Sequence, residues 1–231
     1  MHNPAPTPAT QPVIEAVGIE KAYDQRPVLR GVSLSVQAGE RVALVGPSGC
    51  GKTTLLNCLG GVDRPDRGSI RIGTDLLQNL DPASLARLRR SRIGTVFQFF
   101  HLLPTLSVHE NVELPLQLLG IPRPTRLQRV SHLLQRVRVD HRAHARPAEL
   151  SGGEQQRTAI ARALVHQPAV ILADEPTGNL DSANGDNILA LLRELSDETG
   201  TAIVLVTHST EATRVCHRVV SMLDGRILPP P

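Results

Sequence analysis

Val42-Ala43-Leu44-Val45-Gly46-Pro47-Ser48-Gly49-Cys50-Gly51-Lys52-Thr53-Thr54-Leu55-Leu56 passes from a short apolar run through a glycine-rich turn into a second apolar run. That order, strand then turn then helix, is the pattern of a phosphate-binding P-loop. Glycines let successive backbone N–H groups turn inward around an anion. The loop then delivers that anion to a helix N-terminus, where unpaired donors and the helix dipole favour negative charge. In such a loop Lys52 reaches the β- and γ-phosphates of a nucleotide and the Thr53 hydroxyl ligates Mg²⁺.

Lysine usage supports a specific role for Lys52. Of the 25 Lys and Arg residues in the chain, only Lys21 and Lys52 are lysine. Where only positive charge is wanted, this chain uses arginine, and a compact ammonium inside a tight loop cannot be replaced by a planar guanidinium.

At 231 residues the chain can bury a sizeable core, and its apolar runs are strand-length, far short of a membrane span. Residues 1–12, rich in Pro, Ala and Thr without a basic or apolar block, read as a disordered tail rather than a targeting segment. Three cysteines, Cys50, Cys58 and Cys216, fit no metal spacing and suit free thiols in a reducing compartment. His132, His141 and His144 read as a solvated polar face rather than a metal site. The net charge of +3 does not point to nucleic acid. Charge is uneven, however: residues 123–146 hold seven arginines against Asp140 alone, either a solvated helical face or a surface for anionic headgroups.

Residues 13–21 and 28–36 read as antiparallel strands, and Ser69 to Ile72 as another. Asp81-Pro82 opens a short basic helix, and Ile93 to Phe97 is a strand ending at Gln98. Residues 108–139 are helical, interrupted at Pro115 and limited by Pro122 and Pro124, and a further helix covers residues 152–166. Val170 to Ala173 and Ala202 to Val206 are apolar without alternation, as parallel strands buried on both faces are. Their C-terminal ends carry Asp174-Glu175 and Thr207-His208, at the edge where ligands bind in open α/β sheets. Asp174 is placed to hold Mg²⁺, Glu175 to orient or deprotonate a water in line with the γ-phosphate, and His208 to contact that phosphate. Tyr23, the single tyrosine, offers a face on which a base could stack.

Leu150-Ser151-Gly152-Gly153-Glu154-Gln155-Gln156-Arg157 resembles the signature motif of ABC-type ATPases. The resemblance extends over residues 13–228. It implies Tyr23 on the A-loop, Gly46, Pro47, Ser48, Gly49, Cys50, Gly51, Lys52, Thr53 and Thr54 as Walker A, Gln98 as the Q-loop, and Asp174 in Walker B. Glu175 becomes the catalytic glutamate, Asp181 part of the D-loop and His208 the switch histidine. Catalytic roles would fall to Glu175, His208, Gln98 and Lys52, and Mg²⁺ contacts to Thr53, Gln98 and Asp174. The implied fold is α/β, a P-loop NTPase (RecA-like) core with an N-terminal antiparallel β subdomain and an inserted α-helical subdomain at about residues 98–165, within one domain spanning 13–228.

The same resemblance implies ATP as ligand and a head-to-tail homodimer. In it Ser151, Gly152 and Gly153 of one copy close on ATP held by the other copy. It also implies a separate membrane permease, with this chain cytoplasmic and peripheral to the inner face of the cell membrane. Phe97, Phe99 and Phe100 beside Gln98 are then subdomain packing, the lining of the permease groove, or both. The stretches around His101 to Pro115 and Glu175 to Asp181 are similar to the lipoprotein-release and macrolide-export subgroup, with a cell-division-type ATPase that moves no substrate as the alternative. Ser209 departs from the acidic residue usual after the switch histidine.

Overall fold

In the computed structural model, residues 11–229 are described. Apart from residues 11 and 12, the tail expected over residues 1–12 lies outside them.

The chain begins with a hairpin, β1 (Ile14–Tyr23) and β2 (Arg26–Val36), whose tip is Asp24-Gln25 with φ of 48° and 64°. Two successive left-handed residues between paired Tyr23 and Arg26 make the tight turn that suits the right-handed strand twist. β4 (Arg67–Ile72) and β5 (Asp75–Leu76) complete an antiparallel sheet of order β2-β1-β4-β5.

The second sheet has the order β10-β9-β3-β8-β7-β6, using β3 (Arg41–Val45), β6 (Ile93–Val96), β7 (Val170–Asp174), β8 (Ala202–Val206), β9 (Arg218–Leu223) and β10 (Arg226–Ile227). Neighbours are parallel except at the β9–β10 edge. Alternate residues of the central strands enter two separate cores. Val170, Leu172 and Val204 pack with the N-terminal sheet and α1 (Lys52–Leu59). Ile171, Ala173, Ile203 and Leu205 pack with α3 (Val108–Leu118), α4 (Arg123–Arg136), α5 (Gly152–Leu164) and α6 (Ser182–Thr199). Burial on both faces explains why these strands are apolar without alternation. The expected α/β fold, with its antiparallel sheet and inserted helices, is the one the chain adopts.

α2 (Pro82–Arg92) starts as expected, with Asp81 accepting from the Ser84 N–H at 2.6 Å and proline in the first turn. Pro115 does not interrupt α3, which continues to Leu118. A Ser107–Glu110 capping box fixes the start of the helix, and Val108, Val112 and Leu116 are fully buried, which outweighs the one lost hydrogen bond. The arginine block is exposed or half-exposed and partly paired. Arg126 binds Glu113 at 2.7 Å, Arg142 binds Glu154 at 3.2 Å and Arg136 pairs with Glu198, so acids from outside the block neutralise part of it. Among the described residues no helix is long and apolar enough to cross a membrane.

One close approach ties the helical insert to the sheet. A Cβ on Gly94 of β6 would lie 2.2 Å from the Ala163 carbonyl oxygen of α5. Gly94→Ala must push α5 off the sheet edge, and because the neighbour is backbone the cost should reach about 3 kcal/mol. Urea unfolding should show a lower midpoint for the variant at unchanged slope; an unchanged midpoint would contradict this contact.

Candidate functional site

The glycines of the loop are demanded by geometry. Gly46 has φ 153°, and a Cβ there would sit 2.2 Å from the Met222 carbonyl oxygen of β9. Gly51 (φ 103°) is the N-cap of α1, supplies no capping side chain, and is followed by no acid in the first turn. Elsewhere among the described residues, Asp81, Ser107, Ser151, Asp181 and Ser209 cap α2, α3, α5, α6 and α7 (Thr210–Arg214) with a side-chain oxygen. α4 has Pro122 at its cap and proline in its first turn. Among the described α-helices, α1 and α4 lack a side-chain cap, and of the two α1 alone begins at a glycine-rich turn, with no proline in its first turn. Lys52, 6% exposed, donates to the Gly46 and Pro47 carbonyl oxygens at 2.9 Å each, lying along the loop it serves. The buried Cys50 thiol lies inside the loop, accepting from Lys52 Nζ at 3.8 Å, while the Cys50 N–H donates to Pro47 O at 3.3 Å.

At the carboxyl edge of the sheet, the Thr53 hydroxyl donates to Asp174 Oδ2 at 3.1 Å. Burial raises the Asp174 pKa above its ordinary value, and the bond from Thr53 offsets part of that rise. A desolvated carboxylate next to a hydroxyl is an oxygen-only donor pair that gains from a hard cation. Glu175 adopts φ 45°, a strained conformation for a non-glycine residue, while its N–H still donates to Val206 O at 2.9 Å. The turn aims its side chain at His208, whose Nε2 lies 2.9 Å from Glu175 Oε1. Thr207 N–H donates to Leu44 O at 3.2 Å, locking the end of β8 to the strand that feeds the P-loop. Ser209 caps α7, and its hydroxyl donates to Glu211 at 2.9 Å, so the acid missing at position 209 appears two residues later.

A cavity of about 250 Å³ is lined by Val28, Ser48, Gly49, Gly51, Lys52, Thr53, Thr54, Glu175 and His208. It joins the P-loop to the two sheet-edge side chains. Tyr23, Gln98, Ser151, Gly152, Gly153 and Asp181 do not line it. Tyr23 stands at the hairpin tip with its hydroxyl on Asp63. The Gln98 carboxamide donates to Asn179 Oδ1 at 3.3 Å, and Asn179 Nδ2 returns a bond to Gln98 O at 3.0 Å. A larger cleft, about 720 Å³, lies between α3 and α4, but its Glu113 and Arg126 satisfy each other.

A family model described as ABC transporter matches residues 29–178. The chain belongs to the ABC transporter family. The lipoprotein-releasing system ATP-binding protein of Saccharophagus degradans is 42% identical over 218 residues, 93% of this chain and 96% of that protein. The macrolide export ATP-binding/permease protein of Shigella flexneri is 45% identical over 221 residues, covering 94% of this chain but 34% of the relative. The chain thus spans about a third of the length of that export protein. Among solved structures, a dimeric ATP-binding cassette in a post-hydrolysis state bound to ADP and Pi superposes with a TM-score of 0.84 at 38% identity, covering 94% of this chain and 97% of that one. By family this chain is an ATP-hydrolysing cassette.

The segment that resembles an ABC signature is held by a capping box at the start of α5. Ser151 Oγ accepts from Glu154 N–H at 3.3 Å, and Glu154 Oε2 accepts from Ser151 N–H at 2.8 Å and from its hydroxyl at 2.9 Å. Gly152 and Gly153 open the helix between them. Asp181 serves the same purpose for α6, accepting from Asn184 N–H at 2.9 Å. Sequence reasoning missed Gln156, fully buried, whose Nε2 donates to Pro176 O at 2.6 Å, and Arg162, which donates to Phe100 O at 2.8 Å. Both tie α5 to the loops after β6 and β7. The available signal for Gln156 was a polar residue on the apolar stripe of its helix.

Hydrogen bonds from Ser151, backbone first, pull the Glu154 pKa from its ordinary 4.5 to about 2, with Arg142 adding to the effect. A carboxylate with a depressed pKa adds stability that is complete above its unfolded pKa and lost as pH falls through the folded one. Glu154→Gln should therefore be less stable than the parent at pH 7, with the gap closing between pH 4.5 and 2. A gap independent of pH in that window would contradict the assignment.

Proposed function

We propose that this chain is the ATP-hydrolysing engine of a transport system of the lipoprotein-release or macrolide-export kind, working as a homodimer on a separate membrane permease. The observation that carries this reading is the single cavity in which the uncapped start of α1 faces Glu175 and His208. Loop N–H groups and Lys52 hold the β- and γ-phosphates of ATP, and Ser48 and Gly49 line the opening. Thr53 and Asp174 would hold Mg²⁺, which when bound would supply positive charge against the phosphates. An aspartate and a hydroxyl fit a hard cation that takes oxygen donors.

Glu175, oriented by its contact with His208 Nε2, takes the proton of the water that attacks the γ-phosphorus. His208 orients that carboxylate and reaches the leaving γ-phosphate. Tyr23 offers its ring to the base. Ser151, Gly152 and Gly153 do not line this cavity within one chain, and in our reading they contact the ATP of a second copy arranged head to tail, with Asp181 at the same seam. Gln98, tied to Asn179, carries the state of the site to the loop holding Phe99, which is 68% exposed and available to the permease. The permease would hold the chain at the inner face of the membrane.

Glu175→Gln should bind Mg-ATP, elute as a dimer in its presence and lose at least about 100-fold in turnover, the scale of a removed general base. Turnover near the parent rate in the purified variant would rule out Glu175 as the base.

A further inference from the structure

The function above uses one of the two lysines; the other, Lys21, lies outside the P-loop cavity, on β1 beside Tyr23. Its Nζ stands over the Tyr23 ring, 5.3 Å from the centroid, within cation–π range. The same ammonium donates to Arg64 O at 2.8 Å and pairs with Asp66 at 3.5 Å. The Tyr23 hydroxyl donates to Asp63 Oδ2 at 2.5 Å, and the Ala22 N–H donates to Asp66 Oδ2 at 2.7 Å. Asp66 N–H closes the set on Glu20 O at 2.8 Å.

All these partners lie in the loop that leaves α1. That loop is fastened in turn, since the Val62 and Asp63 N–H groups both donate to Asn57 O, at 2.9 and 3.2 Å. α1, eight residues and about 12 Å long, therefore has the phosphate cradle at its start and the anchor of Tyr23 just past its end. A tyrosine at a hairpin tip, 42% exposed, has little packing of its own to select a rotamer. Two contacts supply the selection. The ammonium occupies one ring face and leaves the other for a stacking partner, and the carboxylate fixes the far end of the ring.

We propose that Asp63 is a positioning residue for the nucleotide base: by accepting the Tyr23 hydroxyl, with Lys21 against the ring, it fixes the plane on which the base stacks. This rests on the reading of Tyr23 as the base platform. The hydrogen bond persists across physiological pH, because the Asp63 carboxylate pushes the Tyr23 pKa to about 12.

The test compares binding of AMP-PNP with that of tripolyphosphate, which has phosphates and no base, both with Mg²⁺. Asp63→Ala and Tyr23→Phe should each weaken AMP-PNP about five-fold, the scale of one hydrogen bond, and leave tripolyphosphate unaffected. The double variant should be no worse than either single one, and Asp63→Asn, which keeps an acceptor, should recover most of the affinity. Tyr23→Ala separates the two claims. If it weakens AMP-PNP while Asp63→Ala and Tyr23→Phe bind as the parent does, the platform stands and the positioning role of Asp63 is overturned. If Tyr23→Ala also binds as the parent does, the platform reading falls, and the positioning role with it. Equal losses for AMP-PNP and tripolyphosphate in Asp63→Ala would assign Asp63 to support of α1 and overturn the proposal; Tyr23→Phe, which removes one exposed oxygen, keeps the test valid should Asp63→Ala fold poorly.

Discussion

The first-turn N–H groups of α1 are left without a side-chain acceptor, and the rest of the site follows from that omission. Five other α-helices spend a Ser or Asp at this position, each worth about 1 kcal/mol, so the chain can cap a helix when capping is useful. At α1 it forgoes the cap and places glycines instead. Those glycines are not interchangeable with alanine, because Gly46 is hemmed in by a β9 carbonyl oxygen. What remains is a backbone cradle with a fixed shape, a helix dipole behind it and one buried lysine along its wall. Such a site is complementary to phosphate before any ligand arrives.

The parallel sheet supplies the other half of the chemistry. β3, β7 and β8 lie side by side through β8, so the three loops leaving their carboxyl ends emerge together. One becomes the P-loop, one turns at Glu175, and one carries His208. Burial of both faces holds the strands in register, and the strained Glu175 backbone is sustained by its bond to Val206 and by the turn through Gly178. α5 joins two loops of this edge, since Gln156 grips the loop after β7 and Arg162 the loop after β6.

Much of this could be read from the residues because the features are local. A glycine-rich turn between apolar runs, an apolar strand ending in two carboxylates and a serine-glycine-glycine helix start each state their geometry within about ten residues. Pro115 misled because tertiary burial of Val112 and Leu116 outweighs a local breaker. The acidic partners within the arginine block could not be read either: Glu113, Glu154 and Glu198 reach it from outside its own stretch. Asp63 was invisible, being 40 residues from the tyrosine it binds and placed in a turn where an acid is ordinary. Asn179 and Gln98 meet across 81 residues and left no pattern at all.

The central claim is that the open start of α1, with Lys52, is where the protein binds nucleotide phosphate. Thermal unfolding with and without saturating Mg-ATP tests it directly, because a ligand that binds only the folded state must raise stability, by about 2.7 kcal/mol at a hundredfold excess over its Kd. The parent chain should show a clear rise in Tm, and Lys52→Ala, folded and of similar Tm without nucleotide, should show none. A Lys52→Ala variant stabilised by Mg-ATP as strongly as the parent would contradict the account.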